Sequence, residues 1–86
     1  MPTETTRELR NWLVHNPGDL GRAIAGVRGE RGLTQAELAG EMRIDRSYLA
    51  RLESGADQLV LERALLALRR MGATITVSLP EDPGDG

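Results

Sequence analysis

The sequence has no cysteine, no lysine and no phenylalanine, and it holds one Trp, one Tyr and one His. Without cysteine no disulfide can form, and the lone His15 cannot assemble a metal site from thiolates and imidazoles. With so few aromatics the core must come from Leu, Ile, Val, Ala and Met. No apolar run approaches the ~18 residues of a membrane span. The opening residues MPTETTRELR lack the charged-then-apolar layout of a secretory signal, so the chain is expected to be cytoplasmic. No hydroxyl sits in a nucleophile motif. These absences argue against an enzyme, a cofactor and a membrane partner.

What remains is a chain of 86 residues, the length of one small domain. Chains of this size bury little surface and often gain stability from disulfides, metal or oligomerisation. The first two are excluded here, so association with a second copy is expected. The formal net charge of −2 argues at first against a polyanionic ligand, but all eleven cations are Arg and they are unevenly placed. Arg43, Arg46 and Arg51 cluster against Asp45, while residues 81–86 hold three acids and no base. Without that tail the remainder is at +1.

Residues 6–14 place Leu9, Trp12 and Leu13 at i, i+3 and i+4, which predicts a short amphipathic helix followed by a break at Asn16-Pro17-Gly18. Asp19 is placed to cap the next helix, whose apolar residues Leu20, Ala23, Ile24 and Val27 keep helical spacing until Gly32. Thr34-Gln35-Ala36-Glu37 is a capping box that starts a third helix over Leu38, Ala39 and Met42. Asp45 offers another cap, and residues 46–54 again show helical spacing through Leu49 and Leu52. Two short capped helices separated by Arg43-Ile44 form the layout of a helix-turn-helix. A last helix covers residues 61–71, with Leu61, Leu65 and Leu68 on one face and Gly72 at its end.

Residues 74–79, Thr-Ile-Thr-Val-Ser-Leu, alternate polar and apolar with the period of a strand. No other segment reads as a strand. A lone strand leaves one row of backbone groups and an apolar face of Ile75, Val77 and Leu79 uncovered, so a second chain is expected to supply the partner. Residues 81–86 are expected to be a disordered acidic tail.

The stretch Thr34-Gln35-Ala36-Glu37-Leu38-Ala39, followed by Ile44, Asp45, Leu49, Leu52, Glu53 and Gly55, resembles the phage-repressor-type (XRE, Cro/C1) helix-turn-helix family. The ending Leu68-Arg69-Arg70-Met71-Gly72-Ala73-Thr74-Ile75-Thr76-Val77 is similar to that of HipB-type antitoxins. The resemblance implies a mainly α, lambda-repressor-like bundle of four to five helices whose C-terminal strand forms an intermolecular two-stranded sheet in a dimer. Four segments follow: an N-terminal helix and linker (1–18), the DNA-binding domain (19–72), a dimerisation strand (73–80) and the tail (81–86). It further implies a homodimeric repressor on operator DNA, nucleoid-associated when bound, with a HipA-like serine/threonine kinase toxin as partner. An orphan regulator without a toxin, or an interaction module without DNA binding, is the alternative.

Carried over by position, residues 46–54 are the recognition helix. Gln35 matches a position that touches phosphate and braces that helix, and Arg46, Ser47, Tyr48 and Arg51 match positions facing the groove or its rim. Arg43 stands where the turn commonly has Gly, at a cost of roughly 1 kcal/mol if it is left-handed, and adds a cation beside the DNA face. Ile75, Val77 and Leu79 are the dimerisation residues. Other readings stay open: Arg46 and Arg51 as solvated charges, Gln35 as a plain helix start, Tyr48 on phosphate or over the core, and the Leu9/Trp12/Leu13 stripe as core packing or a partner surface.

Overall fold

The structure, a computed structural model, describes residues 9–80. The acidic tail and the start of the expected first helix lie outside the described residues. Along the chain run β1 (Leu9–Val14), α1 (Pro17–Glu30), α2 (Gln35–Met42), α3 (Arg46–Ser54), α4 (Leu59–Arg70) and β2 (Ile75–Pro80). The architecture is a mainly α helix-turn-helix bundle with one small antiparallel sheet.

β1 corrects the expectation of an N-terminal helix. It runs antiparallel to β2, with Trp12 opposite Val77, Val14 opposite Ile75 and Leu9 opposite Pro80. A nine-residue amphipathic helix gains little from propensity alone, whereas β2 offers a full ladder of backbone partners. The burial also follows period two. Val14, outside the supposed helical stripe, is 2% exposed, while Leu13, inside it, is 53% exposed. On the outer face the Ser78 hydroxyl donates to Asn11 Oδ1 at 2.8 Å. The strand thought to lack a partner therefore has one within its own chain.

α1 begins differently from expectation as well. Asn16 is its N-cap, accepting from the Asp19 amide at 2.8 Å, and Pro17 takes the first helical position. Asp19 serves the turn from the other side, accepting from the His15 amide at 2.9 Å and pairing with Arg22. Its carboxyl is held below its usual range, chiefly by that backbone amide. At the C-terminal end Gly32 adopts φ 72°, and Leu33 N–H returns to the Arg28 carbonyl.

The core holds Val14, Ala23, Ala39, Leu49, Leu65 and Leu79, at least one residue from every element. Two glycines set the closest approaches. Gly21 on α1 lies against the backbone of Leu52 and Glu53 on α3, and Gly26 receives the indole of Trp12. Trp12 is thus a packing residue under β1. The body measures 42 × 36 × 18 Å, and its thinnest dimension is less than two helix diameters of ~10–12 Å.

Candidate nucleic-acid interface

The α2–α3 pair is built by local chemistry. Thr34 accepts from the Glu37 amide at 3.0 Å while Glu37 accepts from the Thr34 amide at 2.8 Å, completing the expected capping box. α2 ends at Arg43, whose φ 61° and ψ 44° place it in the left-handed region that the turn demands. Its N–H, with that of Ile44, satisfies the last carbonyls of α2 at Ala39 and Gly40. α3 follows after Asp45, whose carbonyl accepts from the Tyr48 and Leu49 amides. Asp45 occupies the N-cap position but makes no side-chain cap bond, unlike the expectation.

One residue orients α3. Leu49 is 1% exposed and points into the body, which leaves Arg46, Ser47, Tyr48 and Arg51 exposed around it. Tyr48 is 48% exposed, so its ring is open to a ligand. Arg43, in the turn, is exposed beside them. Among the described residues none of Arg43, Arg46 and Arg51 makes an ion pair. Three exposed guanidiniums, with a hydroxyl and a phenol, crown one helix and the turn before it.

A side-chain network holds that helix at both ends. Glu53, near its C-terminus, accepts from Arg28 of α1 through Nε at 2.7 Å and Nη2 at 3.0 Å. The same carboxylate accepts from Gln35 Nε2 at 2.9 Å, and Gln35 Oε1 accepts from Arg46 Nη1 at 3.5 Å. Arg28 also donates to the Leu33 carbonyl at 2.9 Å, tying in the loop before α2. Gln35 therefore bridges the first and last turns of α3.

The Glu53 side chain is only 7% exposed and Arg28 19%, so the ion pair is largely withdrawn from water. Hydrogen bonding from Arg28 holds the Glu53 carboxyl below its usual range against the opposing effect of burial, with Gln35 adding to the effect. Glu53 raises Arg28 in turn. Arg28 was not among the residues singled out from sequence, and Glu53 entered only through the family pattern. They stand 25 positions apart, and no local spacing links such a pair; the only signal was an arginine on the polar side of α1.

The strand residues behave differently from the recognition-helix set. Leu79 is buried, Ile75 and Val77 are half-buried, and Val77 forms one wall of a groove over α1. They pack on their own chain. Among the described residues no group of His, Asp and Glu could hold a metal ion, and no helix is long and apolar enough to cross a membrane.

Residues 19–74 match the model of a family described as a helix-turn-helix domain. The chain is 30% identical over 67 residues to a protein of Sinorhizobium fredii (strain NBRC 101917 / NGR234) named "Uncharacterized HTH-type transcriptional regulator y4mF". The match covers 78% of this chain and 88% of that relative. No solved structure matches the chain.

Proposed function

The chain belongs to the helix-turn-helix domain family, of the phage-repressor (XRE) type, and on that premise we propose that it is a cytoplasmic, non-enzymatic transcriptional repressor that binds operator DNA as a homodimer. The observation that carries this reading is the exposed set Arg46, Ser47, Tyr48 and Arg51 on a helix braced through Glu53 and Gln35. A major groove about 12 Å wide admits one helix, and the residues at its N-terminal end reach the base edges. Arg46 and Ser47 occupy the first two positions of α3, and Arg51 follows one turn after Ser47. Arginine is the common bidentate reader of guanine. Arg43 and Gln35 sit where phosphates would pass, so Gln35 adds a backbone contact to its bracing role. The strand residues Ile75, Val77 and Leu79 belong to the dimer contact in this reading, because β1 pairs with only one edge of β2.

Titration of labelled DNA from the region upstream of the chain's own gene tests the assignment. At fixed salt, Arg46→Ala and Arg51→Ala should each lose about 1 to 3 kcal/mol of binding, or roughly 5- to 150-fold. Parental affinity in both variants would remove α3 from the interface.

The finer role is that of a HipB-like antitoxin that neutralises a HipA-like kinase toxin. It is supported by the last helix running into a single short strand, α4 into β2. Coexpression with the neighbouring reading frame tests it, the expected result being copurification and relief of toxicity. A neighbour that does not associate leaves an orphan regulator, the reading favoured by a relative whose name mentions only transcriptional regulation.

A further inference from the structure

Among the described residues two apolar surfaces lack a cover, one concave and one convex. The concave one is a groove of about 290 Å³ with α1 as its floor, Leu33 and Leu38 as one wall and Val77 of β2 as the other. Its floor residues Leu20, Ile24, Val27 and Arg31 follow the spacing i, i+4, i+7, i+11. The convex surface is on α4. Val60, Ala64, Ala67 and Met71 follow the same spacing, all four are exposed, and Val60 and Met71 are 84% and 73% exposed. Each row is therefore about 16 to 17 Å long at 1.5 Å per residue.

The two rows fit each other by size. In either relative direction, small Ala64 and Ala67 fall opposite branched Ile24 and Val27, while the larger Val60 and Met71 fall over the ends at Leu20 and Arg31. Large against small across facing positions is what lets two helices interdigitate closely. The contact cannot form within one chain as it is folded. α4 is fixed beside the start of α1, where Leu65 is 4% exposed and Arg69 donates to the His15 carbonyl, and this turns its bare row away from the groove.

We propose that in the homodimer, on which this inference rests, the bare face of α4 from each copy seats in the α1/α2/β2 groove of the other. Exchange across a two-fold axis covers both grooves and both helix faces at once. Four helix faces about 16 Å long and 10 Å wide amount to roughly 650 Å². The flanking Leu59, Leu61 and Val77 carry the total toward the ~1,000 Å² of a specific interface. Val77, a groove wall, then touches the partner's α4, which gives the dimerisation strand a side-chain part in the contact. The groove also borders Arg28, so a seated partner helix lies against the arginine that holds Glu53 and, through it, the recognition helix.

The chain has no cysteine, so introduced thiols report without background. Two differently tagged chains, one carrying Ala67→Cys and the other Ile24→Cys or Val27→Cys, are coexpressed and oxidised, with Ala36→Cys on exposed α2 as the control partner. The expected result is a disulfide-linked heterodimer with the Ile24→Cys or Val27→Cys chain but not with the Ala36→Cys control. Ala67→Arg should convert the parent's dimer peak in light scattering to monomer. A dimer by light scattering that gives no such cross-link, or that survives Ala67→Arg, overturns the exchange and leaves the homodimer standing. Closure within one chain when both introduced thiols share a molecule, with no linked dimer, also overturns it. A monomer at all concentrations removes the exchange and the homodimer together, and DNA binding by α3 is measured separately.

Discussion

Gly21→Ala asks whether α1 and α3 meet backbone to backbone. A Cβ at Gly21 would stand 2.1 Å from the Glu53 carbonyl oxygen, 2.5 Å from its carbon and 2.7 Å from the Leu52 carbonyl oxygen. An ordinary heavy-atom contact needs about 3.5 Å, so the helices must part by roughly 1 Å or more. The obstacle is main chain and has no rotamer to yield. Overpacking costs ~1 to 3 kcal/mol, and a rigid obstacle places this substitution at the upper end. Alanine offsets about 1 kcal/mol through its better helix propensity. The net loss is about 2 kcal/mol, a large share of the roughly 4 to 13 kcal/mol expected for a domain of this length. At ~4 to 8 °C per kcal/mol, Tm should fall by about 8 to 16 °C. Thermal unfolding followed by far-ultraviolet circular dichroism measures this. Gly29→Ala is the internal control, because it lies on the same helix with nothing within 4 Å of the added carbon and should stabilise by about 0.5 to 1 kcal/mol. Equal rises in Tm for both variants would refute the close α1–α3 approach.

Gly26→Ala would bring a carbon within 2.4 Å of the Trp12 indole, so the sole tryptophan should shift its emission to the red as β1 lifts from α1. Arg43→Gly relieves the left-handed strain of φ 61° by about 1 kcal/mol and removes a cation, so Tm should rise while DNA affinity and its salt dependence fall. The folded Glu53 carboxyl lies below its unfolded value, so its bonds stabilise the fold above the ordinary glutamate range and are lost as pH drops through the depressed folded value. Tm measured from about pH 6 to pH 3 should therefore fall less steeply in Glu53→Gln than in the parent, the remaining slope including the share of Asp19.

How much of this was legible in sequence depended on the range of the interaction. The capping box at Thr34 and Glu37 and the inward Leu49 are set by contacts within a few residues, and spacing located them, while the left-handed Arg43 came from the family pattern. Leu9–Val14 failed because its pattern served two periods. Leu9, Trp12 and Leu13 suit a helix, Trp12 and Val14 suit a strand, and the choice was made by β2, far along the chain. The same event answered the question of the lone strand, since the partner was hidden in a segment assigned to another element. Asn16 displaced Asp19 as cap for a local reason that the sequence did show: a proline at the first helical position sets the cap one residue earlier. Of the interface, the outward residues were readable through the family pattern and agree with the inward Leu49, while Arg28 was not, because its role exists only once Gly21 lets α1 cross α3.

That crossing joins stability to recognition. Gly21 brings α3 against α1, and the proximity lets Arg28 of α1 reach Glu53 of α3 at 2.7 Å. Glu53 then fixes Gln35, and Gln35 meets Arg46 at the N-terminal end of the same helix. A change at any member should therefore move the reading helix as well as weaken the fold, whereas a change at exposed Arg51 should affect DNA alone. Removing Arg28 would leave a 7%-exposed carboxylate without its cation, so the single variant should be less stable than the parent. Replacing both partners with Arg28→Met and Glu53→Leu should recover much of that stability, because apolar side chains of similar volume substitute well for a buried pair. It should not recover DNA affinity, since Gln35 would still lack its acceptor. A double variant that regained both would separate the network from recognition and leave it a purely structural clamp.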